Sequence, residues 1–173
     1  LLAAQNPRRL EAEFVRDTAL AVAGLLNVRD IGGPSIKPYQ PPGIWEEATF
    51  GNKSYVQDHG EALYRRSLYV FWRRIVGPTV FFDTANRQNC SVKTVITNTP
   101  LHALATLNDT TYVEAARVLA QSVLTDRNAD DGQRLAGAFR RVLVREPAAN
   151  EIEALQSALT RQRAFYSADT DAA

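Results

Sequence analysis

Arginine dominates the groups that could do chemistry: of 20 basic residues only Lys37, Lys53 and Lys93 are lysine, and arginine doublets stand at Arg8-Arg9, Arg65-Arg66, Arg73-Arg74 and Arg140-Arg141. A guanidinium presents a planar fork of donors that matches carboxylate, phosphate or sulfate, and it stacks on aromatic rings. The two middle doublets flank Tyr64, Tyr69, Phe71 and Trp72, a mixture suited to holding an anionic sugar or peptide by stacking and charge pairing together. The same arginines have a plainer use, because 19 acidic residues are enough to pair nearly all of them internally. Asp83, Arg87 and Asn89 share one loop, where local hydrogen bonds to the backbone account for them as well as a ligand does.

Other chemistry finds little support. The histidines, His59 and His102, stand 43 positions apart with a lone Cys90, and no HExxH, CxxC, CxxCH or EF-hand spacing occurs, so neither a metal nor a covalently attached haem is expected in this chain. GxGxxG and GxxxxGK[ST] are missing too, which removes the common pyrophosphate cradles. Asn89-Cys90-Ser91 has no glycine for the sharp turn of a nucleophile elbow, and Cys90 reads as a small buried thiol. Glu46 and Glu47 are sequence neighbours, and a general acid/base pair needs two carboxylates held across a substrate; helix caps or ion pairs are the simpler expectation. Trp45, in a proline-rich stretch, reads as an anchor for that loop rather than as a sugar platform.

The elements that must position these groups follow from pattern. The chain has 173 residues, 45 % apolar and 23 % charged, with a formal net charge of +1, which describes a globular domain able to bury about 70 % of its unfolded surface. A balance so close to neutral argues against nucleic acid. The apolar run Ala19–Leu26 is far short of the roughly 20 residues of a membrane span, so no membrane insertion is expected. No basic-then-apolar signal segment is present, and without methionine the chain reads as a piece of something longer. One mainly helical domain is expected over 1–166, of about five to six helices with long ordered loops and at most a short β element, followed by a flexible tail at 167–173.

Helical spacing places a first helix over Arg8–Asn27 with Leu10, Phe14, Val15, Thr18, Val22, Leu25 and Leu26 inward and Glu11, Glu13, Arg16 and Asp17 off that face. A proline- and glycine-rich ordered loop spans Gly32–Asn52. Leu63–Val76 is ambiguous between strand and helix, and its stacking of Leu68, Trp72, Ile75 and Val76 favours helix. Val92–Thr97 alternates as a short strand. Thr99-Pro100 reads as an N-cap with proline at the first helical position, opening a helix with Leu101, Leu104 and Leu107 as its stripe. Asn108-Asp109 ends it and caps the next, Thr111–Leu124, with Val113, Ala116, Leu119, Ala120 and Val123 inward. Two more helices are expected around Leu135–Leu143 and Glu151–Tyr166.

Five ordered blocks then form one pattern: Arg8–Glu13 through Asp17; Gly32–Ser35 with Pro38–Pro41 and Trp45–Glu47; Leu63–Tyr69; Phe82-Asp83 with Arg87 and Cys90; and Thr97–Leu101 through Asp109. Over about Arg8–Leu159 the chain resembles the C-terminal domain of unknown function in large planctomycete-type cytochrome c-containing proteins. The resemblance implies an exported protein, periplasmic or at the cell surface, with a haem c domain and another uncharacterised domain upstream and no cofactor in this chain. It also implies other domains of the same parent protein as partners and an association with complex, including sulfated, polysaccharide. Arg65, Arg66, Asp83, Arg87, Cys90, Asn98 and Asp109 are pattern positions, whereas His102 replaces the usual glutamine. The expected function is a non-catalytic binding or scaffolding domain that recognises anionic polysaccharide through Arg65, Arg66, Trp72, Asp83, Arg87 and Asn98. The alternatives are a glycan-processing enzyme with its site between segments 32–52, 64–72 and 83–90, and a purely structural domain.

Overall fold

A computed structural model describes residues 9–73, 76–78, 81–83, 97, 99–125 and 129–168. These residues contain six α-helices: α1 (Ala12–Ala23), α2 (Ile44–Ala48), α3 (Pro100–Asn108), α4 (Thr110–Leu124), α5 (Asp131–Leu143) and α6 (Ala149–Ala168). Two isolated bridges, Asn27 with Arg65 and Ile36 with Val70, are their β pairing. The mainly α fold expected from sequence is therefore the fold observed. The chain divides into two compact units, Leu1–Ala116 and Arg117–Ala173.

In the first unit α1 is shorter than its periodicity suggests. Gly24 stops it in the left-handed region at φ 80°, where a side chain would be strained. Leu25 N–H then bonds back to the Leu20 carbonyl at 2.8 Å, closing the orphaned carbonyls of the last turn. The buried face also differs from the expected one. Ala12, Arg16, Leu20 and Ala23 point inward, Arg16 with no exposed surface at all, while Phe14 is 53 % exposed and Leu10 is exposed as well. Small residues on the Ala12–Ala23 face let backbone approach α1, and the bulkier stripe is left facing outward.

Of the Leu63–Val76 segment, residues 63–73 and 76 are described and are not an α-helix. Gly60–Tyr64 and Ser67–Tyr69 are single 3-10 turns, and between and beyond them the chain is extended enough to bridge to Asn27 and Ile36. Helix loses here because the backbone groups have other partners: Ser67 N–H donates to the Asp17 carboxylate at 2.8 Å, and the Leu63 and Arg65 carbonyls accept from Arg16. The 32–52 loop is ordered around Trp45, which is buried, stacks on Tyr55 with centroids 5.4 Å apart and donates its indole N–H to Gln40. Thr99 and Pro100 open α3 as expected, but Leu101, Leu104 and Leu107 are exposed. Asp109 caps α4 through Thr111 N–H at 2.9 Å. The α4 residues that are buried are Tyr112 and Ala115, and Val113 is half exposed, so the expected inward stripe is rotated by one position. The strand expected over Val92–Thr97 lies outside the described residues apart from Thr97.

The second unit contains the α5–α6 hairpin. Asp130 and Gln133 form a reciprocal capping box at the start of α5, with bonds of 2.7 and 2.9 Å. At the start of α6, Glu151 accepts from Ala148 N–H at 2.8 Å and takes both arms of Arg145 at 2.8 and 2.6 Å. Those Arg145 bonds, and then the Ala148 N–H, hold the Glu151 carboxyl down at about 2. A folded-state value below the unfolded one of about 4.3 contributes stability that is complete above that value and lost as pH falls toward 2. The thermal midpoint of Glu151→Gln should accordingly lie below that of the wild-type chain at pH 5, and the gap should close by pH 2. A gap independent of pH would contradict this assignment.

Candidate functional site

The site is built on one pair of neighbours in α1. Arg16 turns inward and Asp17 sits at the rim. Arg16 donates to the carbonyls of Leu63 (2.6 Å) and Arg65 (3.0 Å) and to Ser67 Oγ (3.2 Å). Asp17 takes Ser67 N–H on one oxygen and lies 4.0 Å from Arg66 with the other. Helix and extended segment are thus stapled side by side, and the side chains of that segment alternate. Arg65, Ser67 and Val70 are buried, while Arg66 and Leu68 face outward.

Between α1 and this segment runs a cleft of about 570 Å³ within the first unit. Phe14, Leu68, Phe71, Trp72 and Phe81 supply its apolar walls, and Glu11, Glu13, Asp17 and Arg66 supply its charge. Trp72 stacks on Phe81 with centroids 5.9 Å apart. Its indole also rests against Gly77, where an added Cβ would lie 3.4 Å from ring carbon Cζ2, so glycine there allows the ring to seat closely. A concave, partly aromatic lining with a few charged groups is the usual composition of a ligand site.

Two other hollows are less suited. One of about 700 Å³ lies along Gly24–Asp30 with Glu61 and Tyr64 and is walled largely by the turn after α1. One of about 590 Å³ in the second unit has Arg134 and Arg140 in its lining, but Asp131 faces the first at 3.7 Å and Glu146 the second at 3.1 Å.

The residues singled out by sequence separate into different places. Arg66 and Trp72 meet in the cleft. Arg65 lies beneath it, 6 % exposed, with its guanidinium given to the carbonyls of Pro34 (2.8 Å), Asp30 (3.3 Å) and Gly32, and 4.1 Å over the Tyr69 ring. Asp83 belongs to another cluster, in which it accepts Thr97 Oγ1–H at 2.6 Å and Thr97 N–H at 2.8 Å and lies 3.4 Å from His102. The Thr97 hydroxyl, ahead of its other neighbours, draws the Asp83 carboxyl below its ordinary value. Arg87, Asn98 and Cys90 lie outside the described residues.

His102 resembles a general base in outline and is closed as one. Arg9 lies 2.6 Å from His102 Nδ1, and a guanidinium only donates, so Nδ1 accepts and the ring proton sits on Nε2, facing Asp83. Phe82 stacks on the ring with centroids 4.5 Å apart, so both nitrogens and a face are taken.

Sequence reasoning missed Arg16, the residue that assembles the site, by placing it on the solvent face of α1. The signal available was the stripe Ala12, Arg16, Leu20, Ala23, which has helical spacing of its own with arginine as its largest member. Glu11 and Glu13 lie off the buried face as expected, and their place in the cleft wall carried no signal in the sequence.

A family model with the description PSD1, protein of unknown function (DUF1553), matches residues 1–159. The chain belongs to this family. No curated protein and no solved structure matches it. The match covers both the α1-based cleft of the DUF1553 domain and most of its α5–α6 hairpin.

Proposed function

We propose that this domain is a non-catalytic binding and scaffolding module of an exported, planctomycete-type haem c protein, and that it takes polysaccharide in the cleft between α1 and the Arg66–Trp72 segment. The observation that carries the reading is the convergence of Trp72, Phe81 and Phe71 with Arg66 and the α1 carboxylates in one concavity. Sugar rings pack their C–H faces on aromatic surfaces, and their hydroxyls bond to charged groups at the edge. The non-catalytic part is supported by Asp17, whose oxygens are engaged by Ser67 and faced by Arg66, and by the closure of His102. The scaffolding part is supported by the exposed Leu101, Leu104 and Leu107 of α3, which suit docking by another domain of the parent protein. Export and the haem c context are supported by the sequence resemblance alone.

A thermal-shift panel against neutral, amine-bearing, carboxylated and sulfated oligosaccharides tests the reading, since stabilisation grows as RT ln(1 + [L]/Kd). At least one class should raise the midpoint of the first unit, and Trp72→Ala should abolish the rise. Leu68→Ser, on an exposed wall residue, serves as a second variant if Trp72→Ala is poorly folded. No shift with any class would leave a structural domain. New reducing ends in the same mixtures would make it a glycan-processing enzyme.

A further inference from the structure

The charge of the cleft walls says more about the ligand, and this step rests on the reading of the cleft as a saccharide seat. Three carboxylates, Glu11, Glu13 and Asp17, meet one guanidinium, Arg66. Asp17 is already answered: Ser67 N–H lies at 2.8 Å, Arg16 at 3.7 Å and Arg66 at 4.0 Å. Arg66 faces the same wall carboxylate that Arg16 approaches from inside, so the only guanidinium among the described lining residues stands beside a carboxylate. The side-chain carboxylates of Glu11 and Glu13 have no hydrogen-bond or ion-pair partner among the described residues. Counting Arg16 and Arg66 against the three carboxylates, the described residues give this seat a net charge of about −1, with the Glu11 and Glu13 carboxylates unpaired beside Phe14, Phe71, Trp72 and Phe81.

An anionic sugar entering there meets repulsion that its ring stacking must overcome. A neutral sugar gains the stacking and leaves both carboxylates to water. An ammonium group gains on both counts, because carboxylates attract it and aromatic faces attract cations by their quadrupole. We propose that the cleft selects a sugar bearing a free amine, and that Glu11 and Glu13 determine that selection. Arginine richness, which by itself points to an anionic polymer, does not set the charge of this seat, because Arg16 and Arg65 are buried in backbone bonding and Arg66 faces Asp17.

The test is calorimetric titration of the whole chain with tetrasaccharides of glucosamine and of N-acetylglucosamine, a sulfated tetrasaccharide and tetralysine, at pH 6 and at low and high salt. The glucosamine tetramer should bind about tenfold or more tighter than its acetylated counterpart, weaken with salt and weaken about tenfold again in the Glu11→Gln, Glu13→Gln double variant. The isosteric change keeps the fold, and circular dichroism confirms it. Acetylated or sulfated sugar binding as tightly, in a manner lost with Trp72→Ala, overturns the amine selection and keeps the saccharide seat. Tetralysine binding with no sugar bound overturns the saccharide and points to a basic peptide. Silence of all four probes overturns both.

Discussion

Arg16→Met should destabilise the first unit by about 3–5 kcal/mol, the cost of stripping one partner from a buried charged network. The guanidinium is fully buried, and desolvation pulls its pKa below the ordinary arginine value against the opposing influence of Asp17. Methionine fills much of the same volume, so packing is nearly conserved. What is lost is the set of donors to Leu63, Arg65 and Ser67, and the carbonyls are left inside without a replacement. Domains are stable by only about 5–15 kcal/mol, so a urea midpoint followed by circular dichroism should fall sharply. Tyr112→Phe gives the internal contrast. Its hydroxyl is buried with no hydrogen-bond partner among the described residues, and burial raises its pKa; removing it should leave stability unchanged or improve it by up to about 1 kcal/mol. A loss below about 1 kcal/mol for Arg16→Met would contradict the network as the element that holds α1 to the 63–67 segment.

Arg65→Ala carries the second large effect, about 2–4 kcal/mol, because charge-assisted bonds to three carbonyls and a stacked ring go together. Those carbonyls belong to Asp30, Gly32 and Pro34, and Gly32 and Gly33 both sit at φ near 80°, a tight turn with few other bonds. Tyr69 adds one through its hydroxyl, which accepts Gly32 N–H at 3.0 Å. Lysine cannot span three acceptors from a single ammonium, so Arg65→Lys should recover less than half of the loss. Hydrogen exchange reads the consequence locally: amides at 32–36 should exchange faster in both variants, while those of α5 and α6 stay as in the wild-type chain. Unchanged protection at 32–36 would contradict the clip. Ser35 borders the cleft, so a loosened turn should weaken ligand binding as well.

The helices were legible in sequence and their faces were not. Thr99-Pro100 and Asn108-Asp109 are short-range signals and each marks a real boundary, the second through the Asp109 carboxylate bonded to Thr111 N–H. The inward faces of α1 and α4 were misread for a common reason. Hydrophobic periodicity assumes that a helix buries its bulkiest apolar stripe, whereas α1 buries a guanidinium between Ala12 and Leu20 because the carbonyls of the 63–67 segment take its donors. Arg65 and Arg66 show the same limit at closer range. The doublet is uniform in sequence, yet extended backbone sends one side chain into the 30–34 turn and the other to the cleft, and only the register set by Arg16 and Asp17 decides which. Trp72, singled out by type, stands in the cleft wall together with Glu11 and Glu13, which the sequence puts off the inward face without linking them to Trp72.

The most direct measurement uses the two tryptophans. A ¹H–¹⁵N spectrum of the chain contains two indole N–H signals, one from Trp45, buried and bonded to Gln40, and one from Trp72 in the cleft. On titration with the glucosamine tetramer the Trp72 signal should move in a saturable way together with the amides of Glu11, Glu13, Phe14 and Arg66, while the Trp45 signal stays in place. A titration in which the Trp72 indole stays fixed while binding is registered elsewhere, or in which no signal moves at all, would contradict the cleft as the seat of function.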